Sequence, residues 1–458
     1  MTARFTLQEV LAATRGECKA QGTKLDFEGI STDTRTLAPG VLYIALSGER
    51  FDGHDYVQEA IRLGAAGVIV SQPVTVETGA TVVEVVNTRI ALQDLARFHR
   101  CRFQLPLIAV TGSNGKTSTK DMIAAVLTTK LKVLRTEANF NNEIGLSQTL
   151  LRLDESHQAA VVEMGMRGRG EIAELASIAL PTIGVVTNVG ETHLERLGTV
   201  ANIAAAKAEL VEALPISGFA VLNADDNFVH AMQQKTAAQI RTFAVDAAAD
   251  IQAAEIVQTI EGVSFVCHEA ENKFPIFIPV PGRHNVYNAL AAIAVGRLLG
   301  LEFAQIAAGL ADYQPGKMRL NIRRKAEITV IDDTYNASPL SMAAAVNVLA
   351  EIAQGRKIAV IGDMLELGEA SRRAHETVGQ QLAAVGATIV LTVGEMAGYA
   401  AAAANLHGVA DVVACKDHQQ AVAELQKRLL PNDTVLVKGS RGMQMEKVLT
   451  VFAPMSEG

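Results

Sequence analysis

Leu107-Ile108-Ala109-Val110-Thr111-Gly112-Ser113-Asn114-Gly115-Lys116-Thr117-Ser118 is the stretch that decides the fold. Its apolar start, Leu107–Val110, has strand character, and a helical pattern follows Gly115. Two glycines between them let the backbone turn tightly and aim N–H groups at phosphate oxygens. Lys116 can reach terminal phosphates, and the Thr117 hydroxyl can ligate Mg²⁺. The stretch departs from the common G-x-x-x-x-G-K loop, which needs glycine where Val110 stands.

The same rhythm continues on both sides. Short β-branched runs end in Gly, Asn or Asp and give way to Ala/Leu-rich stretches, the pattern of a mostly parallel sheet with crossover helices. Strands are expected at Ala160–Val162, Ile183–Thr187, Ala220–Leu222, Ile328–Ile331, Ile358–Ile361, Ile389–Val393 and Val435–Val437. Helices are expected after Gly115, Ser338 and Ser371. Ser338-Pro339 has the form of an N-cap followed by Pro at the first helical position, with the helix running to Gln354. The chain has 458 residues, and about 150 residues per domain suggests about three domains.

Composition narrows the function. Apolar residues make up 49% and charged residues 20%, the balance of a globular protein. Aromatics are 4% and Trp is absent, which argues against a surface built on stacked bases. The net charge is −8 and no Lys/Arg-rich run occurs, so nucleic acid is not an expected partner. Cys18, Cys101, Cys267 and Cys415 lie far apart, as in a reducing cytoplasm. Met1–Val10 lacks a signal-peptide pattern, and the apolar run Ala289–Gly296 is too short for a bilayer. A cytoplasmic protein with no membrane insertion is expected.

Two further strand ends carry chemistry. Ala159–Glu163 ends in an acid that can hold Mg²⁺ beside nucleotide phosphates, or is an ordinary exposed Glu. Thr187-Asn188-Val189-Gly190-Glu191-Thr192-His193 places His193 at the ligand-facing edge of a parallel sheet, where it is either a metal ligand or structural.

Together these motifs resemble the ATP-dependent Mur ligase family. The resemblance extends through Asn139-Phe140-Asn141-Asn142-Glu143-Ile144-Gly145 and Gly282-Arg283-His284-Asn285-Val286-Tyr287-Asn288. Asp332-Asp333-Thr334-Tyr335-Asn336-Ala337-Ser338-Pro339 and Gly362-Asp363-Met364-Leu365-Glu366-Leu367-Gly368 are similar to the branch whose acceptor is D-alanyl-D-alanine. Ser31-Thr32-Asp33-Thr34-Arg35 and Gly48-Glu49-Arg50-Phe51-Asp52-Gly53-His54-Asp55 fit that branch too. The resemblance implies an α/β fold of three domains. A small N-terminal α/β domain, 1–83, would bind the UDP-muramoyl peptide. A central P-loop-type, mostly parallel sheet, 84–312, would bind ATP. A C-terminal Rossmann-like α/β domain, 313–458, would bind D-alanyl-D-alanine and close on ATP.

The implied reaction phosphorylates the terminal carboxylate of a UDP-N-acetylmuramoyl-tripeptide with ATP. The amine of D-alanyl-D-alanine then attacks the acyl phosphate. The resemblance also implies roles. Gly112, Ser113, Asn114, Gly115, Lys116, Thr117 and Ser118 would wrap the ATP phosphates. Thr117 and Glu163 would share one Mg²⁺ and His193 would sit at a second. Lys207 matches a lysine that family members carbamylate to support the metal, or is a helix-surface lysine. His284, Asn285 and Asn288 would border adenine and Asp333 the ribose. Arg319, preferred to Lys317, would reach the γ-phosphate. Tyr335, Asn336 and Asp363 would serve the dipeptide; Asn142, Ser31, Thr34 and Arg35 would serve the UDP-linked substrate. A monomer is expected. The alternatives are an amide ligase acting at an earlier peptide stage or on folate, and a P-loop NTPase switch. The Tyr335–Pro339 and Gly362–Gly368 segments argue against the former.

Overall fold

The computed structural model describes residues 1, 3–48, 51–76 and 79–452. Glu49 and Arg50 of the N-terminal motif lie outside the described residues. Three larger sheets organise the chain, with a two-stranded pair, Phe5–Thr6 with Asp26–Phe27, beside the first. The N-terminal sheet orders its strands 17–20, 81–84, 67–70, 42–44 and 30–31, parallel except for the first pair. The central sheet has nine strands. Leu107–Thr111 lies between Ile183–Val186 and Ala159–Glu163, both parallel to it. The far end of this sheet is a meander of antiparallel strands, Ile251–Thr259, Gly262–Glu269 and Asn272–Ile278. The third sheet has six strands, all parallel but the Asn321–Lys325 edge.

Each expected strand is present, within a residue or two of its expected ends. The helix after Ser338 spans Pro339–Ile352 and stops two residues before Gln354. Ser338 caps it by accepting from the Ser341 N–H. Ser371 is the first residue of its helix, Ser371–Ala384, and does not cap it.

The central strands are apolar on both faces because both faces are covered. Leu107 and Ala109 pack with Leu92, Leu95, Leu146 and Leu150. Ile108 and Val110 point the other way, into Met122, Ile123, Val126 and the helix Arg283–Leu298. The first of these cores runs on without a break to Leu42, Ile44, Ile69 and Val83 of the N-terminal sheet. The third sheet builds separate cores around Ile331, Leu349 and Ile361 and around Val360, Leu391 and Val437. The N-terminal and central sheets are thus welded by shared apolar burial, whereas the third keeps its own cores, met from the central sheet by Ile260. Among the described residues no helix is long and apolar enough to cross a membrane.

Candidate active site

The C-terminal ends of the central and third sheets enclose a cleft of about 1350 Å³. One wall is the loop after Leu107–Thr111. Its shape is imposed by the strand beside it. Thr187 Oγ1 donates to the Asn114 carbonyl (2.6 Å), and Asn188 Oδ1 accepts from the Asn114 N–H (2.9 Å). The Ser113 N–H donates to the Asn188 carbonyl (2.9 Å), and Ser113 Oγ donates to the Gly190 carbonyl (3.1 Å). Both glycines are required. Gly112 has φ +151° and a Cβ there would sit 1.9 Å from Thr187 Oγ1; Gly115 has φ +80° and its Cβ would meet Asn288 Oδ1 at 2.6 Å.

Lys116, the first residue of the helix Lys116–Thr128, folds back on the loop and donates to the Gly112 carbonyl at 2.7 Å. Burial lowers its pKa, and nearby Glu163 opposes that shift. Glu163 is 3% exposed, so it is not an ordinary surface acid. It accepts from Thr117 Oγ1 (2.7 Å) and Asn141 Nδ2 (2.8 Å). A hydroxyl and a carboxylate so placed are hard oxygen donors suited to Mg²⁺. Among the described residues no group of three or more His, Cys, Asp or Glu is arranged to hold a metal.

His193, with backbone φ +57°, lies on the same cleft wall. Its Nδ1 is 2.6 Å from Oε2 of Glu366, on the third domain. Burial lowers its pKa and Glu366 opposes the shift. Lys207 is 2% exposed on the helix Val200–Glu212, which rules out the helix-surface alternative. Its pKa falls well below the usual lysine range, through burial first and the positive charge of Lys116 second. It stands behind the cleft wall and does not line it.

The opposite wall belongs to the third sheet. Arg319 lies 3.8 Å from the centre of the Tyr335 ring, while Lys317 does not reach the wall. Asp333 accepts from the Leu320 N–H and pairs with Lys438, which also donates to the Asn336 carbonyl (2.9 Å). His284 sits between the walls, its pKa pushed down to about 4 by burial, against the pull of Asp333 and with that of Lys438. Asn285 and Asn288 line the cleft, yet their amides are engaged within the protein. Asn288 Oδ1 accepts from Thr119 Oγ1, Asn288 Nδ2 donates to Asn285 Oδ1, and Asn285 Nδ2 donates to the Pro281 carbonyl. Through Thr119 they brace the helix Arg283–Leu298 against the helix Lys116–Thr128 that follows the loop. Ser118 and Asn142 also line the cleft, and Asn142 caps the helix Glu143–Leu150.

Besides Lys207, four expected site residues stand apart from the cleft. Asp363 is 8% exposed and its carboxylate accepts from the Ala397 N–H (2.7 Å), away from the cleft wall. Ser31, Thr34 and Arg35 belong to the N-terminal sheet edge and do not line this cleft. Ser31 Oγ donates to the Asp33 carbonyl, and Arg35 is paired with the Asp33 carboxylate. Conversely, Asn141, Glu366, Ser338 and Lys438 enter the site without having been assigned a place in it. Asn141 and Glu366 stand inside quoted motifs. Ser338, read as a cap, also donates to Asn114 Oδ1 (2.8 Å) across the seam. Lys438 had a signal too, since it ends a strand on the same edge as Asp333.

A phosphate loop, a buried acid beside it and a second α/β domain facing both define a nucleotide-dependent enzyme that works in an interdomain cleft. The chain belongs to the Mur ligase family: it matches the Mur ligase family catalytic domain over residues 26–100, the Mur ligase middle domain over 110–296 and the Mur ligase glutamate ligase domain over 318–441. It is 39% identical to the UDP-N-acetylmuramoyl-tripeptide–D-alanyl-D-alanine ligase of Bacillus subtilis, covering 93% of this chain and 94% of that one. Among solved structures it resembles MurF from Acinetobacter baumannii, with a TM-score of 0.92 and 33% identity over 99% of this chain and 100% of that one. It also resembles the ADP complex of MurF ligase from Thermotoga maritima, with a TM-score of 0.84 and 28% identity over 93% of this chain and 96% of that one.

Proposed function

We propose that this protein joins D-alanyl-D-alanine to UDP-N-acetylmuramoyl-tripeptide at the expense of ATP, in peptidoglycan precursor synthesis. The observation that carries this reading is a single cleft in which the Gly112–Ser118 loop faces Arg319, Tyr335 and Asn336 of the third domain. A carboxylate acylates amines poorly at neutral pH, and phosphorylation turns one of its oxygens into a leaving group. The protein must therefore gather anions and orient them, which is work for cations and N–H donors.

Lys116 leaves its loop carbonyls and compensates charge on the transferring phosphoryl group. Arg319, stacked on Tyr335, meets the same phosphate from the third domain. His284 and Asp333 hold the nucleoside, with Asn285 and Asn288 fixing the floor beneath it. Thr117 and Glu163 would hold Mg²⁺ and His193 would hold a second ion; bound there, the ions would supply charge neutralisation and orientation of the reacting oxygens. Lys207 is a carbamate in the working enzyme. Its depressed pKa favours the neutral amine, the form that adds CO₂ with loss of a proton, and the resulting anion suits a place near Lys116 and His193. Tyr335 and Asn336 receive the dipeptide. Residues 1–83, with Ser31, Thr34 and Arg35 at a sheet edge, receive the UDP end, and Asn142 the peptide. Residues 84–312 carry ATP and 313–458 the acceptor. A monomer is the proposed working form, each cleft being lined within one chain. Its nucleotide substrates place it in the cytoplasm.

The test is phosphate release measured with each substrate omitted in turn. ADP and phosphate should form only when both UDP-N-acetylmuramoyl-tripeptide and D-alanyl-D-alanine are present. Hydrolysis without an acceptor would instead mark an NTPase switch, and turnover with glutamate on a folate would mark the other kind of amide ligase.

A further inference from the structure

The segment Gly362–Gly368 contributes more than a wall to the cleft. Met364 and Leu367 are 1% and 3% exposed, and they anchor the turn on either side of Glu366. The Met364 N–H donates to Nε2 of fully buried His375 (2.9 Å), and the Leu365 N–H to Ser440 Oγ (2.9 Å). Glu366 itself has φ +64°, and facing it His193 has φ +57°. Left-handed backbone is strained for a non-glycine residue, and it persists only where surrounding structure imposes it. Two such residues therefore face each other across the interdomain seam, each presented by a pinned loop. The seam is tight there: a Cβ on Gly368 would lie 3.5 Å from Glu195 Cα. Their side chains meet at 2.6 Å.

We infer that Glu366 is a positioning residue for His193: from the third domain it holds the imidazole proton on Nδ1 and leaves the Nε2 lone pair free for the cleft. An ionised carboxylate only accepts hydrogen bonds, so the 2.6 Å contact requires Nδ1–H. A histidine that binds a cation or accepts a proton must offer an unprotonated nitrogen, and its tautomer is set by the partner of the other ring nitrogen. Because Glu366 and His193 belong to different domains, the correct tautomer is enforced only when the third domain is seated. Domain approach thus prepares the chemistry of the central sheet as well as delivering the acceptor. This inference rests on the proposed reaction only for its kinetic consequence.

The experiment uses full-length enzyme labelled with ¹⁵N in histidine, free of nucleotide and metal, with His193→Gln to assign the resonance. Long-range ¹H–¹⁵N spectra distinguish the two tautomers. Wild type should show His193 mainly protonated at Nδ1. In Glu366→Gln the amide can donate to Nδ1, so the Nε2–H form should grow. Ligation by this variant should fall about 10- to 100-fold in kcat, with KM for ATP nearly unchanged. Glu366→Ala should shift the tautomer in the same direction. A wild-type His193 protonated mainly at Nε2, or an unaltered tautomer in both variants, would overturn the inference. If wild type proved unable to ligate, the functional proposal would fail while the tautomer result still decided the role of Glu366.

Discussion

The central and third sheets are built alike and use their edges differently. In both, parallel strands bring polar residues to the C-terminal edge, where α/β proteins bind ligands. At the central edge the charges are left available. Lys116 is held only by carbonyls, Lys207 has no carboxylate acting on it, and Glu163 is bonded to neutral groups. At the third edge the two aspartates are satisfied within the domain: Asp333 is paired with Lys438, and Asp363 binds the Ala397 N–H. Shared architecture therefore says little about which edge does chemistry. What matters is which buried charges lack an opposite partner, since such groups are costly to hold and persist where a ligand completes them.

The sharpest way to break this contrast is Lys116→Ala. Removing a cation that meets the transferring phosphate should cost at least about 10²-fold in kcat. The thermal midpoint should change little, because only hydrogen bonds to loop carbonyls are lost. Near-normal phosphate release from folded variant would remove the loop from the reaction.

Lys207→Ala tests the second lysine at the central edge. A supporting group of this kind is worth about 10- to 100-fold in activity. Small carboxylic acids should restore part of the loss by standing in for a carbamate, and CO₂-depleted buffer should slow the wild type. Full activity at limiting Mg²⁺ would make Lys207 a structural lysine.

Asp363→Asn examines the third edge, with stability as the main readout. A buried charge-assisted hydrogen bond is weakened, so destabilisation of about 1–3 kcal/mol is expected in urea titrations followed by a probe in the third domain. The KM for D-alanyl-D-alanine should stay within about twofold of wild type, since the carboxylate faces the Ala397 N–H. A large rise in that KM with unchanged stability would put Asp363 in the acceptor site after all.

The smallest effect concerns His284, between the two edges. Its pKa is pushed down to about 4 by burial, whereas an unfolded histidine titrates near 6.5. Between those values the unfolded chain holds a proton that the folded one does not, so folding stability falls as pH drops through that window. His284→Gln should flatten that part of the stability–pH curve by an amount on the order of 1–2 kcal/mol, less than the full pKa difference would give because the ring lines an open cleft. An unchanged curve would show that His284 titrates freely in the fold.

The sequence by itself determined the sheet-and-helix order, the phosphate loop and the family. These depend on short-range patterns: β-branched runs, two glycines before Lys116, and Ser338-Pro339 at a helix start. It also brought Glu163 and His193 to the cleft edge, because a parallel strand delivers its last residue, and the loop that follows it, there. Only the tertiary structure decided which polar residues face the cleft. Asp363 and Asn336 both stand just past strands of one sheet, yet only Asn336 lines the cleft; Asp363 is turned aside by a backbone N–H from a helix more than thirty residues away. Lys207 could be read as buried or exposed until the helix was packed, since Ala204–Ala208 has little polarity to mark a face. The partnership of His193 with Glu366 spans 173 residues and two domains. No local pattern encodes such a pair; it exists because two separately folded sheets present their loops to one another.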